Sequence, residues 1–302
     1  MAYPRSHTVP PATTGFYLCT SRCVRRAWLC GRDPLTGLSF NHRRAWIEHR
    51  LIELADIFAI DLFGFAVMSN HYHAVLKTDP LRVQSWSDST VAERWLRLFP
   101  VKDEQLRART LTAITHDETR LSELRERLAS LSWFMKCINE PISRRSNRED
   151  GCTGRFWEGR FHASALLDEA AIATAMAYVD LNPVRAALVE DPAQAEHTAL
   201  GRRLRAPDGD NLGLAPLESI GMTLQAYLAL VQWTVRCCER HRGGTLPPGV
   251  SRILHCTPQD WLTRLRLHRR HPRVHGALGA MRDFAHQMGQ LWVKGCGQAS
   301  VT

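Results

Sequence analysis

At 302 residues the chain has room for one large domain or two moderate ones. Its 44% hydrophobic content is that of an ordinary globular protein with a sizeable core, and no apolar run approaches the length of a membrane span. A formal net charge of +9 argues for a polyanionic partner and says nothing about fold.

Residues 1–13 read as a disordered lead. They hold Pro4, Pro10 and Pro11 and no apolar stretch, so no signal peptide and a cytoplasmic location are expected. In that compartment the nine cysteines read as thiols rather than a disulfide framework. None forms a C-x-x-C pair, so no structural zinc site is expected.

Thr14 to Thr20 predict a first strand. Arg22, Arg25 and Arg26 follow, either as phosphate contacts at the mouth of a site or as a solvated basic loop. A helix is expected from about His42 to Ile57, where Trp46, Ile47, Leu51 and Leu54 recur at helical spacing. Phe58 to Met68 and His71 to Lys77 predict two strands joined by a tight turn at Ser69-Asn70. In the second of these, side chains two apart share a face about 7 Å apart. His71 and His73 therefore project together while Tyr72 points into a core. Two neutral imidazoles at that separation can converge on one divalent ion, although an arbitrary H-x-H is more often two exposed strand histidines.

Residues 79–118 read as an insertion with a short helix near 89–98 that buries Trp95 and Leu98. The next helix is expected from about Arg120 to Asn139, capped by Thr119 and ended or kinked by Pro141. Arginines interleaved with Phe156 and Trp157 suit single-stranded nucleic acid, where guanidinium groups meet phosphates and rings stack on bases. The same aromatics also fit a core, which is the preferred reading for Phe161. Phe161 to Leu166 predict a fourth strand, and Asp168 caps a helix running to about Leu181 with Tyr178 in its last turn. Asn182 is either a face-mate of Tyr178 or the cap of a second short helix starting at Pro183. Beyond Val189 a linker is expected at 206–215, then a helix from Glu218 to His241. A basic run from Trp261 to His275 follows, read as either a second DNA-binding surface or a solvated helix face.

Three segments carry a resemblance to a known family: Ser69 to Leu76 with its H-x-H, Gly154 to Phe161, and Ala175 to Ala186 with its Tyr-x-x-x-Asn-Pro. Together, over residues 14–190, they resemble the HUH single-tyrosine transposases, most of all the REP-associated tyrosine transposases. The resemblance implies a ferredoxin-like α+β fold: an antiparallel sheet with helices on one face, in the order β-α-β-β-α-β, and a tyrosine on an added helix. A C-terminal, mostly helical basic region at 206–302 lies beyond it. The implied activity is metal-dependent cleavage and joining of single-stranded DNA beside hairpins through a 5′-phosphotyrosine. Tyr178 would be the nucleophile. His71 and His73, with Asn182 as third ligand, would hold Mg²⁺ or Mn²⁺. Arg22, Arg25, Arg155, Arg160 and Arg185 would contact DNA. The active unit would be a monomer or a homodimer. Two alternatives remain: a non-catalytic hairpin-binding protein derived from a transposase, and an RNA-binding protein.

Overall fold

The computed structural model describes residues 7–10, 12–24, 29–33, 36–206, 212–240, 245–247, 250 and 254–293. Strand β1 (Gly15–Arg22) is followed by helix α1 (His42–Ile57) and by the expected hairpin of β2 (Ile60–Val67) and β3 (His71–Thr78). A bond from Met68 N–H to the His71 carbonyl closes the turn at 2.8 Å. Strand β4 (His162–Leu166) and a two-residue β5 (Val274–His275) complete one sheet of order β2-β3-β1-β4-β5. The first four strands pair antiparallel, and β5 adds to the edge parallel to β4.

Alternation along the strands sorts side chains onto two faces. Tyr17, Cys19, Tyr72, Ala74 and Leu76 pack under α1 and α6 (Leu131–Glu149), as a ferredoxin-like layer requires. Leu18, Phe63 and Val75 face the other way, onto α7 (Glu169–Asp180). The sheet is therefore covered on both faces. Helix α7 is buried all round from Ala170 to Asp180, and its alanine-rich sequence lets neighbours approach closely. Asp168 caps it as expected, accepting from Ala171 N–H at 2.7 Å.

Residues 79–118 hold α2 (Pro80–Gln84), α3 (Asp88–Leu98) and α4 (Glu104–Thr115). Trp95 and Leu98 are buried in the α1/α6 core, as expected. Helix α4 was not expected, because its sequence is mostly polar and only Ile114 is buried. The single helix expected over 120–139 is two. Helix α5 (Glu118–Leu128) is capped by Asp117 rather than Thr119, and Ser130 starts α6 by accepting from Trp133 N–H. Pro141 does not end α6. It removes the N–H that would bond the Cys137 carbonyl four residues back, and Arg50 Nε of α1 donates to that carbonyl instead, at 3.0 Å. Arg43, fully buried on α1, bridges to the far end of α6 through Glu149 at 2.6 Å and through Asp150.

After α7 come the short α8 (Asn182–Arg185), α9 (Ala199–Arg205), α10 (Leu224–Arg240), α11 (Pro258–Leu267) and α12 (Leu278–Gln287). Gly201 lets α9 start against the preceding turn: a Cβ there would meet the Ala195 carbonyl oxygen at 2.1 Å. The helix expected from Glu218 begins only at Leu224, because Gly221 turns left-handed at φ 73°. The basic run is not one solvated helix face. Helix α11 stops at Leu267, His271 takes φ 45°, and the chain enters β5. No disulfide links the described cysteines. Among the described residues no helix is long and apolar enough to cross a membrane.

Candidate active site

His71 and His73 project from β3 on the face that carries α7, with ring centroids 4.7 Å apart and planes at 83°. Each imidazole is held through Nδ1. His71 Nδ1 donates to Asn70 Oδ1 at 2.6 Å, because an amide oxygen only accepts. His73 Nδ1 bonds the Thr20 hydroxyl at 2.8 Å. Thr20 reaches it because β1 places Thr20 directly opposite His73. His73 Nε2 is buried and has no protein partner. For His71 the bond to Asn70 makes Nε2 the lone-pair nitrogen. For His73 the Thr20 hydroxyl can donate or accept, and Nε2 is the lone-pair nitrogen in the tautomer whose Nδ1 donates to Thr20, the outer-partner arrangement of metal-ligating histidines.

Electrostatics keep both rings neutral. Burial lowers His71 to about 4, and the charges of Arg22 and His271 push the same way. His73 lies well below its ordinary value, first from burial and then from His71, His271, Arg22 and Arg185. A neutral imidazole is the form that binds a metal. Among the described residues no group of three or more His, Cys, Asp or Glu gathers at one point, so a cation here has two imidazoles and must take other donors. Asn182 is half-buried at the start of α8. Its Nδ2 donates to the Tyr178 carbonyl at 3.4 Å, leaving its amide oxygen as an acceptor.

Tyr178 stands in the last turn of α7, on the same side of the sheet as the histidine pair. Its ring centroid is 5.5 Å from that of His73, with the planes at 75°. The Arg185 guanidinium lies 5.0 Å from the Tyr178 centroid. His268, brought round by the end of α11, stacks on the phenol at 5.3 Å and 30°. These neighbours leave Tyr178 only 5% exposed.

Of the expected DNA contacts, Arg22 and Arg185 come to the site. Arg22 is exposed and lies opposite His71 in the β1–β3 register. Arg155 does not join them. Its Nε donates to the Trp157 carbonyl at 2.8 Å and its other end to the Glu158 carbonyl, so it braces its own loop. That loop docks beside Arg22, with Glu158 N–H on the Arg22 carbonyl at 2.9 Å, and Arg160 is exposed on it. Arg25 lies outside the described residues. The aromatics of this loop are not free to stack on bases. Phe156 and Phe161 are buried, and Trp157 donates to the Asn139 carbonyl at 2.9 Å while it packs edge-on against Tyr72.

Residue patterns did not point to Thr20, His162, His268 or His275. Thr20 and His162 become neighbours of the pair only through strand register, with His162 opposite Thr20 on β4. His268 and His275 sit inside the basic run, where a charge pattern reads as surface; both are buried.

No family model matches the chain, and no curated protein matches it. Among solved structures, a REP-associated tyrosine transposase bound to a REP hairpin is similar over 72% of this chain and 90% of that chain. The two are 13% identical, with a TM-score of 0.37.

Proposed function

We propose that this protein cuts and rejoins single-stranded DNA beside hairpins, with Tyr178 as nucleophile and a divalent cation at His71 and His73. The observation that carries the reading is the placement of the Tyr178 ring 5.5 Å from His73, on the sheet face of a histidine pair whose Nδ1 atoms are already engaged. Mg²⁺ or Mn²⁺, held by the two imidazole nitrogens with the Asn182 amide oxygen as a third donor, would polarise the scissile phosphate; the nitrogen ligands favour Mn²⁺ mildly.

The chain's own residues do the rest. Arg22 and Arg185, with Arg160 on the neighbouring loop, hold the phosphates of an extended strand. The Tyr178 oxygen attacks phosphorus, the bond from phosphorus to the 3′-oxygen breaks, and the proton lost by the phenol is balanced by one gained at the 3′-hydroxyl. The 5′-phosphotyrosine conserves the bond, so a second 3′-hydroxyl can reverse the step and join strands.

A labelled hairpin oligonucleotide incubated with Mg²⁺ or Mn²⁺ is expected to give a covalent adduct that chelator prevents and Tyr178→Phe abolishes. An adduct that survives Tyr178→Phe would show a different nucleophile. The small exposure of Tyr178 favours one other reading, a hairpin-binding protein without catalysis. That reading requires binding that is indifferent to chelator and no adduct with any divalent cation.

A further inference from the structure

We infer that His268, delivered by the C-terminal region, is a positioning residue that holds the Tyr178 phenol in the orientation needed for attack. The inference rests on the cleavage reading above and extends the site to a part of the chain that the histidine and tyrosine motifs do not reach.

Three observations converge on His268. First, it is the ring that lies flat on Tyr178, at 5.3 Å and 30°, whereas His73 meets the phenol edge-on at 75°. Tyr178 is in the last turn of its helix. A flat contact there limits rotation of the ring.

Second, His268 is 1% exposed, and neither of its ring nitrogens has a protein partner. With no protein hydrogen bond to direct it, His268 meets the phenol as a packed flat ring. His275 stacks behind it at 3.8 Å and 26°, and its Nε2 is also unpartnered. The two imidazoles border a cavity of about 10 Å³ together with Thr174 and Arg264. That is close to the space one water needs, among polar groups able to bond it.

Third, the support of His268 is independent of the proposed cation and phosphate contacts. Strand β5, just after His268, pairs with β4. Arg264, one turn before, reaches the α7 cap Asp168 at 3.3 Å, and Asp168 also accepts from Ala277 N–H at 2.6 Å. The C-terminal region is thus tied to the junction where β4 passes into α7. It presents one imidazole to the phenol as the consequence.

The test compares wild type, His268→Ala, His268→Phe and Tyr178→Phe in the full chain. Single-turnover adduct formation is measured beside hairpin binding, and the ring resonances of the five tyrosines are followed by ¹³C labelling. Tyr178→Phe assigns the Tyr178 signal. His268→Ala is expected to slow adduct formation about 10- to 100-fold, the range for a misplaced reacting group. It should leave Kd within about 2-fold and move the Tyr178 resonance off its ring-current-shifted position. His268→Phe, which keeps a flat ring and loses the nitrogens, should recover most of the rate and the shifted resonance. The inference is overturned by a His268→Ala protein with wild-type rate, by parallel losses of rate, binding and thermal stability, or by a His268→Phe protein as slow as His268→Ala. If wild type forms no adduct with any divalent cation, the cleavage reading falls. A Tyr178 resonance that responds to His268→Ala then separates that failure from a misplaced His268, which would leave the resonance unmoved.

Discussion

The hydroxyl of Thr20 is what turns His73 from a buried ring into an aimed one. It engages Nδ1 at 2.8 Å and leaves the buried Nε2 without a protein partner. Asn70 does the same for His71 from the adjoining turn. Outer partners of this kind are worth about 10- to 100-fold in metal affinity. Thr20→Val keeps the shape and removes the bond, so Mn²⁺ affinity measured by calorimetry is expected to fall by about that factor, with Thr20→Ser restoring it. Unaltered Mn²⁺ binding by the valine protein would mean that His73 is not a ligand. At this scale the histidine pair was readable because strand alternation is local: two residues apart is one face, whatever the rest of the chain does. Tyr178 was readable from its helix and its three-segment resemblance. Thr20 was not, since its value depends on which residue β1 places opposite His73, a pairing that spans 53 residues.

At the scale of elements, the strands and the helices that cross them follow from periodicity, and the errors have local causes. Helix α4 hides because a helix that buries one residue has almost no apolar stripe. Pro141 misled because a proline reads as a stop when the chain around it is considered alone. The carbonyl that Pro141 orphans belongs to Cys137, and Arg50 from α1 takes it at 3.0 Å. A tertiary contact thereby supplies what the helix lacks. Removing it leaves a buried acceptor unpaired, so Arg50→Ala is expected to cost about 1–3 kcal/mol by chemical denaturation. In a Pro141→Ala background the restored N–H can bond the same carbonyl, and the cost of Arg50→Ala should shrink clearly. Equal costs in the two backgrounds would show that Arg50 matters for its ion pair with Glu53 at 2.7 Å rather than for the carbonyl.

At the scale of the whole molecule, the C-terminal region is part of the structure that holds the site. Tyr227 of α10 donates to the buried Asp180 at the end of α7 at 2.6 Å, and β5 extends the sheet. Charge patterning could not foresee this, because a run of arginines and histidines reads as surface, and here Arg266, Arg269 and Arg270 are exposed while His268 and His275 turn inward. The inward histidines give the fold a pH dependence. Burial holds His275 down to about 3, with His162, Arg264 and His271 adding to the effect and His268 stacked against it. Burial holds His162 down to about 4, with His271 and Arg273 beside it. In the unfolded chain both titrate near about 6.5. Between those limits the unfolded state binds protons that the folded state refuses, so stability rises with pH there. The contribution is fully present above about pH 6.5 and is lost as pH falls toward 4, by up to about 1.4 kcal/mol per pH unit for each group. Against a total of about 5–15 kcal/mol, two such groups are enough to matter before most carboxylates titrate. The urea midpoint, taken in chelator, should change little between about pH 7.5 and 6.5 and then drop steeply to about pH 5. His275→Asn removes one of the titrating groups and should flatten the drop. A midpoint that stays constant from about pH 6.5 to 5, or a slope that His275→Asn leaves untouched, would mean these imidazoles are already open to solvent, and the packed wall behind Tyr178 would lose its basis with them.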